Sequence, residues 1–225
     1  MFAVMKKEFK SYFMSPIGYI FVGIFLFIFS IFFKQLFESG MTNFEYLFGN
    51  GATIITFFIP VLTMRMFSEE RKSGTEQLLL TSPRSVTSIV LGKFFAATGV
   101  ILVTELLTLG YLGILFYFAK PSILIAFATL LGFFLLSLAY ISFGMFASSI
   151  TENQIVAYIL TVVTFMAMWF LAGSNAFTEI FALIGKFNYF PSGLNSVSSI
   201  ITFLSFSLLF IVLTVVMLQR RKSIK

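Results

Sequence analysis

The sequence predicts an all-α integral membrane protein with six transmembrane helices, and three observations lead to that prediction. The 225-residue chain has a mean hydropathy of +1.01, and 59% of its residues are hydrophobic. Only 11% are charged, whereas a soluble globular domain contains about 25%. The apolar residues also form separate runs of the length that crosses a hydrocarbon core, which takes about 20 residues in a helix. Lipid is therefore the expected solvent of most of the chain.

The first 15 residues, MFAVMKKEFKSYFMS, predict a short amphipathic helix that lies in the membrane interface. Phe2, Met5 and Phe9 recur at helical spacing on one side, and the three lysines of the stretch fall elsewhere. Basic residues on such a helix contact anionic headgroups while its apolar side enters the lipid. A frayed basic leader is the alternative interpretation. The stretch lacks the apolar core and the small-residue cleavage site of a signal peptide.

Six apolar runs follow this helix, with short connections between them and no long hydrophilic stretch. The first run begins at Pro16 directly after Ser15, which suits an N-cap followed by proline in the first turn. Pro60 predicts a kink in the second run. The predicted spans cover residues 16–37, 48–66, 86–118, 122–149, 155–172 and 197–218. The sequence therefore predicts a single membrane domain over residues 1–225.

Lysine and arginine residues are strongly biased toward one side of the predicted spans. If the N-terminus is cytoplasmic, twelve of the 15 basic residues fall on the cytoplasmic side, and only Lys34, Lys120 and Lys186 fall outside. Loops rich in basic residues remain in the cytoplasm during insertion. Both termini and the segment 67–85 are therefore predicted to be cytoplasmic, in a protein of the cell inner membrane. The net charge of +6 fits this topology better than it fits nucleic-acid binding.

The connection 173–196 is too short and too polar to cross the bilayer, yet it is more apolar than a simple turn. Phe177, Ile180 and Ile184 share one helical face, and an aromatic run precedes Pro191. Non-helical backbone at membrane depth is tolerated only where protein or water surrounds it. We expect an outer re-entrant or interfacial helical hairpin before the sixth span. An extended exposed loop is the alternative.

A dense polar segment, FSEERKSGTEQLLLTSPRS at 67–85, separates the second and third spans. Ser73 to Glu76 has the form of a capping box, with Ser73 as the N-cap and Glu76 reaching back. The leucines at 78–80 give the helix that follows an apolar side, and Pro83 ends it. A cytoplasmic helix of this kind suits docking into a groove on a soluble partner. A solvated loop whose charges only fix the topology is the alternative.

The residue types that the chain lacks argue against catalysis within it. Cysteine, histidine and aspartate are absent, so the common transition-metal ligand sets and the Ser-His-Asp and Cys-His arrangements cannot be assembled. Gly92-Lys93 is followed by Phe94 and lacks the glycine loop of a phosphate-binding P-loop. We therefore expect a chain that is not an enzyme and that contains no metal site and no cofactor.

Two further polar features lie within or beside the spans. Glu105 is near the middle of a span, where an ionised group costs about 2.5–3.5 kcal/mol on insertion scales. It either lines a translocation path or dimer interface, or it joins neighbouring helices.

Small residues in 144–154 allow close helix approach at the inner end of the fourth span. Glu152, Asn153 and Gln154 then predict a cytoplasmic turn, which is either a secondary contact with a partner or a simple capped turn.

Three motifs carry a resemblance to a known family. The polar segment FSEERKSGTEQLLLTSPRS, with LGKFFAA after it, resembles the signature region between the second and third spans of ABC-2 type transporter permeases. MKKEFKSYFMSPIGYIF at the start and FGMFASSITENQIVAYIL at 143–160 extend the resemblance over nearly the whole chain. Together the motifs resemble most closely the gliding-motility-associated branch, which is close to the permeases of copper-enzyme maturation systems.

The resemblance implies a permease that dimerises and is driven by separate ATPase subunits, which bind ATP and magnesium. In that family the loop after the second span forms a coupling helix seated on the ATPase. The residues of this chain that match the coupling element are Glu69, Glu70, Arg71, Lys72, Gly74, Thr75, Glu76, Leu78 and Leu79. The stretch 1–15 would be the family's connecting helix, and 177–190 its outer re-entrant helices.

The function implied by the resemblance is export through a path between two permease subunits, powered by ATP hydrolysis in the partner chain. The permease pair would be a homodimer or a heterodimer in contact with lipid, and an extracytoplasmic accessory subunit would be a further partner. The alternative is a structural or mechanotransmission role. In that case the membrane protein would anchor an ATPase complex and transmit force to an extracytoplasmic partner without moving a substrate.

Overall fold

The computed structural model describes residues 1–40, 43–80, 84–118, 121–170, 182–194 and 196–224, and every regular element in these ranges is a helix. The helices in chain order are α1 Phe2–Met14, α2 Pro16–Glu38, α3 Glu45–Thr63, α4 Ser68–Lys72, α5 Glu76–Leu80, α6 Val86–Phe118, α7 Ile123–Ile150, α8 Gln154–Phe170, α9 Leu183–Phe187 and α10 Val197–Ile224. The all-α prediction is therefore confirmed for the described residues.

Five helices in the described part of the chain are long and apolar enough to cross a membrane. They are Pro16–Glu38, Glu45–Lys72, Val86–Phe118, Ile123–Ile150 and Val197–Lys222, the second of which counts α3 and α4 as continuous. α8 is apolar, but its 17 residues extend only about 26 Å, less than the roughly 30 Å of a hydrocarbon core. The end predicted for this span, at 172, lies outside the described residues. The protein is thus a multi-pass membrane protein, and the six-span count stays a prediction.

The boundaries of the first two long helices follow from the local sequence. Ser15 is extended and Pro16 opens α2, as the N-cap and proline pattern predicts. α3 continues through Pro60 and ends at Thr63. Proline removes one backbone donor and crowds the preceding turn, so the helix ends within one turn of it.

α7 is the central helix of the bundle and packs against α3, α6, α8 and α10. Phe133 of α7 contacts the rings of Phe25 and Phe29 on α2, Phe48 on α3 and Phe187 on α9. All five rings are buried, and most of the pairs with Phe133 are edge-to-face, a favourable arrangement for aromatic side chains. This aromatic cluster holds four helices together in one half of the bundle.

The amphipathic helix predicted at the N-terminus is present as α1 and packs on α6 and α2. Phe9 lies on the side that faces α6, close to Gly99. The hydroxyl of Tyr12 donates to the carbonyl of Leu62 at 3.4 Å, at the end of α3. Phe2 remains largely exposed. The interfacial position of α1 in a membrane stays a prediction.

Of the predicted outer segment 173–196, the structure describes residues 182–194 and 196. In this part Leu183, Phe187 and Phe190 are buried, and α9 packs against α7, α8 and α10. The ring of Phe190 lies 6.3 Å from that of Phe203 on α10. The described end of the connection is therefore packed onto the bundle, and the remainder of the predicted hairpin, residues 173–181, lies outside the described residues.

Candidate functional site

The polar segment, described over residues 67–80, forms α4 and α5 with a turn between them. Gly74 in this turn has a φ of 73°, a left-handed conformation that glycine adopts at little cost. The amides of Ser73 and Gly74 donate to the carbonyls of Glu69 and Arg71. Gly74 therefore ends α4 as a left-handed C-terminal cap residue.

The capping box predicted over 73–76 is wrong. The hydroxyl of Ser73 donates back to the carbonyl of Glu70 at 3.2 Å, so it serves the helix before the turn. The carboxylate of Glu76 points away from Ser73 and accepts a bond from Arg221 at 3.1 Å. The left-handed Gly74 between the two residues separates their side chains. The sequence pattern correctly placed a helix after the turn but assigned the wrong partners.

A serine from α7 bridges the break between α3 and α4, which covers residues 64–67. The Oγ of Ser148 accepts hydrogen bonds from the amides of Phe67 at 3.0 Å and Ser68 at 3.1 Å. The same hydroxyl donates to the carbonyl of Met64 at 2.9 Å. Ser148 is fully buried, so these bonds are shielded from water. One side chain of α7 thus satisfies three backbone groups of the break.

α7 reaches the break because a glycine faces the end of α3. A Cβ atom added at Gly144 would lie 2.1 Å from the Oγ1 of Thr63, well inside the van der Waals distance. The small residues predicted to allow close approach in 144–154 therefore do so at this point. The contact brings the last turns of α7 against the beginning of the polar segment.

Lys93 of α6 is almost completely buried, with its side chain 3% exposed, and it lies between two carboxylates. Its Nζ is 2.7 Å from Oε1 of Glu70 on α4 and 3.4 Å from Oε2 of Glu8 on α1. The ammonium also lies 5.3 Å from the centre of the Phe67 ring, within range of a cation–π interaction. The other carboxylate oxygen of Glu70 is buried and has no hydrogen-bond partner among the described residues. One cation therefore joins α1, α4 and α6.

A polar cavity of about 280 Å³ lies beside this cluster, between α1, the end of α3 and α4. On one side Arg65 donates two hydrogen bonds to Glu69, each of 2.7 Å, in the bidentate arrangement that suits a guanidinium and a carboxylate. On the other side lies Tyr12. Burial, with a further contribution from the Glu8 carboxylate, raises the pKa of Tyr12 above its ordinary value. The phenol therefore remains a protonated donor.

Two arginines connect the polar segment to further helix ends. Arg71 donates to the carbonyl of Ile150, the last residue of α7, at 2.8 Å and pairs with Glu152 at 2.8 Å. Arg221, in the last turn of α10, pairs with Glu76 on α5 at 3.1 Å. Together with the lysine and serine contacts, these bonds link the segment to α1, α6, α7 and α10.

Several residues of the polar segment are exposed. Lys72, Gly74 and Thr75 are exposed, and Leu78 is 73% exposed. Thr75 and Leu78 also line an open cavity that Glu70 shares. The side chain of Leu79 lies outside the described residues. The residues predicted as a coupling element thus differ in their contacts: Glu70, Glu76 and Arg71 bond to the bundle, and a second set is exposed.

The predicted turn at 152–154 is present and adjoins the polar segment. Asn153 Oδ1 accepts from the amide of Ile155 at 2.9 Å and so caps the start of α8, which begins at Gln154. Glu152 pairs with Arg71, as described above. The stretch is therefore a capped turn that also contacts the polar segment, and a contact with a partner chain stays a prediction.

Glu105 is buried in α6. Its Oε1 atom has no hydrogen-bond partner in the part of the chain that the structure describes. Among those residues, no hydrogen bond from this oxygen supports the interpretation that Glu105 joins neighbouring helices. A role in a translocation path or at a dimer interface stays a prediction.

Four residues of this site were not identified as such from the sequence: Glu8, Lys93, Ser148 and Arg221. Arg221 entered the prediction only as a charge that sets the topology, and Lys93 entered it as such a charge, in the test for a P-loop and within the LGKFFAA motif. A lysine inside an apolar run was nevertheless a usable signal, because a buried ammonium requires a carboxylate partner. Ser148 gave no such signal, because a serine near the end of a membrane helix most often bonds to its own helix.

A comparison with protein families identifies the chain. The model of a family described as ABC-2 family transporter protein matches residues 30–219. The chain belongs to this family. It is a membrane-embedded permease subunit of an ABC transporter, and the family implies an ABC ATPase partner and usually a dimer. Membrane domains of this family are generally non-catalytic. No curated protein matches the permease, and its place in the gliding-motility-associated branch stays a prediction.

Proposed function

We propose that this permease exports a substrate across the cell inner membrane and that the polar segment couples it to a separate ATPase. The two-sided character of the segment supports the proposal. On one side Lys93, Ser148 and Arg221 connect the segment to three helices of the bundle. On the other side Lys72 and Leu78 are exposed. An element that receives force from outside and passes it to several membrane helices requires both sides.

Closure of the ATPase pair on ATP would push the polar segment toward the bundle. Its bonds to α6, α7 and α10 would pass this movement to helices that lie far apart in the sequence, and α1 would follow through the pair of Glu8 with Lys93. A rigid-body rearrangement would then open a path between two permease subunits. ATP and magnesium bind to the ATPase in this proposal, and the permease itself requires no cofactor. The permease pair is a homodimer or a heterodimer, with an extracytoplasmic accessory subunit as a further partner.

The exposed side of the segment fits a groove on the ATPase. Thr75 and Leu78 are exposed and would enter an apolar floor, and Lys72 would meet an acidic rim. Short helices with a few apolar anchors commonly dock into grooves in this way. In this proposal Glu70 and Glu76 hold the segment in place from the bundle side and do not contact the ATPase.

The proposed orientation places both termini and the polar segment in the cytoplasm. The basic residues that predict this topology converge in the fold, because Lys93 and Arg221 contact the polar segment and Arg71 lies within it. α1 joins the same end of the bundle through Glu8. A single basic end supports an assignment to the cytoplasmic side by the positive-inside rule.

The alternative is mechanotransmission, in which the permease transmits force to an extracytoplasmic partner and moves no substrate. The aromatic cluster around Phe133 favours mechanotransmission, because a tightly packed interior transmits displacement without opening a path for a substrate.

The two functions can be separated by cysteine labelling, since the chain contains no native cysteine. A cysteine at exposed Val163 of α8, in the complex with ATP, is labelled by a water-soluble maleimide if an aqueous path opens beside it. Complete protection in every nucleotide state favours mechanotransmission.

Co-purification tests the coupling proposal. The tagged permease is purified from its native membrane, the P-loop chain that accompanies it is identified by mass spectrometry, and its ATP hydrolysis is measured. Leu78→Asp should reduce retention of that chain by at least about tenfold, because it places a charge in the apolar contact. Lys34→Glu, in α2 and outside the polar segment, is the control. Undiminished retention with Leu78→Asp would count against the proposed interface.

A further inference from the structure

α4 begins without a cap of its own. Its N-cap residue, Phe67, makes no side-chain hydrogen bond to the helix. The first amides of any helix lack acceptors within it and need an oxygen from elsewhere. Serine, threonine, aspartate or asparagine usually supplies that oxygen from the N-cap position itself. Phenylalanine cannot do so, and the start of α4 is buried at Phe67 and Ser68.

The missing cap comes from α7. The Oγ of Ser148 accepts from the amides of Phe67 and Ser68 at 3.0 and 3.1 Å, which are the N-cap residue and the first residue of α4; an N-cap side chain would instead bond the second or third amide of the helix. Its donation to the carbonyl of Met64 at 2.9 Å also satisfies a backbone group left by the interrupted helix. The two helices are 80 residues apart in sequence at this contact. The cap of α4 is therefore a tertiary contact.

The far end of α4 is held by the same helix. Arg71 bonds to the carbonyl of Ile150 at 2.8 Å and to Glu152 just beyond it. Both ends of the five-residue helix thus contact the last turn of α7 or Glu152, two residues beyond it. α3, although it precedes α4 in the chain, is separated from it by the break at 64–67. Arg65 and Ser68 connect α4 to the break through their bonds to Glu69 and to the carbonyl of Met64, and α7 gives α4 a second connection to the bundle.

We propose that Ser148 is a positioning residue for coupling: it holds the polar segment on α7, so that a displacement of the segment moves the central helix of the bundle. The inference rests on the proposed coupling function and deepens it by assigning the route of transmission. α7 packs against α3, α6, α8 and α10, so a movement that enters through Ser148 reaches four helices directly.

The chain offers a matched control at the next position. Ser149 is also fully buried, but its hydroxyl donates to the carbonyl of Phe146 within its own helix, at 2.7 Å. Ser148→Ala and Ser149→Ala therefore remove the same atom from adjacent buried sites, and only the first removes the cap of α4. Ser148→Thr keeps the hydroxyl and is the conservative rescue.

The first measurement is hydrogen exchange of the full-length permease in lipid nanodiscs, read by mass spectrometry on peptides that contain Phe67 and Ser68. Ser148→Ala should accelerate exchange of these amides by about tenfold, because their buried donors lose the acceptor. Ser149→Ala should leave their exchange unchanged, and Ser148→Thr should preserve most of the protection. Equal exchange in both alanine variants overturns the cap.

The second measurement is ATP hydrolysis by the permease purified with its ATPase. Ser148→Ala should lower the permease-dependent kcat severalfold while KM for ATP and the amount of bound ATPase stay unchanged, and Ser148→Thr should restore kcat. An unchanged kcat despite faster exchange overturns the positioning role. If the wild-type permease binds no P-loop ATPase, the coupling function itself fails, and the exchange measurement still decides the capping bond independently.

Discussion

Replacement of Lys93 by methionine is expected to destabilise the permease more than replacement of any exposed basic residue. The ammonium is 3% exposed and lies 2.7 Å from Glu70 and 3.4 Å from Glu8. Lys93→Met keeps most of the side-chain volume and removes the charge. The two carboxylates then face each other without a cation, and one oxygen of Glu70 already has no hydrogen-bond partner among the described residues.

The size of the effect follows from the burial of the partners. Removing one member of a buried ion pair costs about 3–5 kcal/mol, because the remaining charge is left uncompensated. The side chains of Glu8 and Glu70 are each 20% exposed, so water can reach them in part. We therefore expect a loss of about 3 kcal/mol, near the lower limit of this range, which corresponds to roughly a 100-fold change in the unfolding equilibrium.

Reversible unfolding by SDS in mixed micelles, followed by tryptophan fluorescence, measures this loss. The double variant Lys93→Met with Glu70→Gln should recover more than half of it, because it removes a carboxylate together with the cation. Lys34→Met is the control: its pair with Glu38 is exposed at 77% and 66%, so its effect should stay within about 0.5 kcal/mol. Equal stabilities of Lys93→Met and Lys34→Met, or no recovery in the double variant, would refute the reasoning.

Three other predictions follow from the fold. Gly144→Ala should lower the free energy of unfolding by about 1–3 kcal/mol, because its Cβ would meet Thr63 at 2.1 Å; an unchanged SDS midpoint would contradict the close approach. Arg221→Ala should accelerate hydrogen exchange of α5 by roughly 5- to 30-fold, because Glu76 loses its partner. Exchange equal to that of the wild type would show that the pair does not hold α5. Glu105→Gln should leave SDS stability and ATPase retention intact and reduce transport, measured as ATP-dependent flux or growth complementation; full transport would remove Glu105 from the path.

The sequence predicted the long helices more accurately than the contacts between them. The run predicted at 86–118 coincides with α6, because hydropathy and helix length are local properties that lipid imposes directly. Ser73 shows the limit of local patterns. The capping motif is present in the sequence, but Gly74 is left-handed and the hydroxyl of Ser73 bonds to α4, the helix before the turn. Lys93 and Glu70 are 23 residues apart, and no local pattern predicts that pair.

The division among the predicted site residues has the same physical cause. Charge and family resemblance selected the segment, but they could not determine which of its side chains face the bundle. That depends on Ser148, Lys93 and Arg221, which come from three different helices. The orientation of a surface segment is thus a property of the assembled bundle, whereas its existence is a property of its own sequence.

The pairing of Glu76 with Arg221 also has a consequence for biosynthesis. The two residues are 145 positions apart, and a ribosome that adds about 5–20 residues per second needs roughly 7–30 s to make the intervening chain. Throughout that interval α5 is without this partner, while α6 to α9 and most of α10 are being synthesised. The arginine arrives only with the last turn of the last helix. The contact of α5 with the bundle is therefore completed only after α10 has been made, and a nascent chain that lacks α10 differs at the place proposed for the ATPase contact.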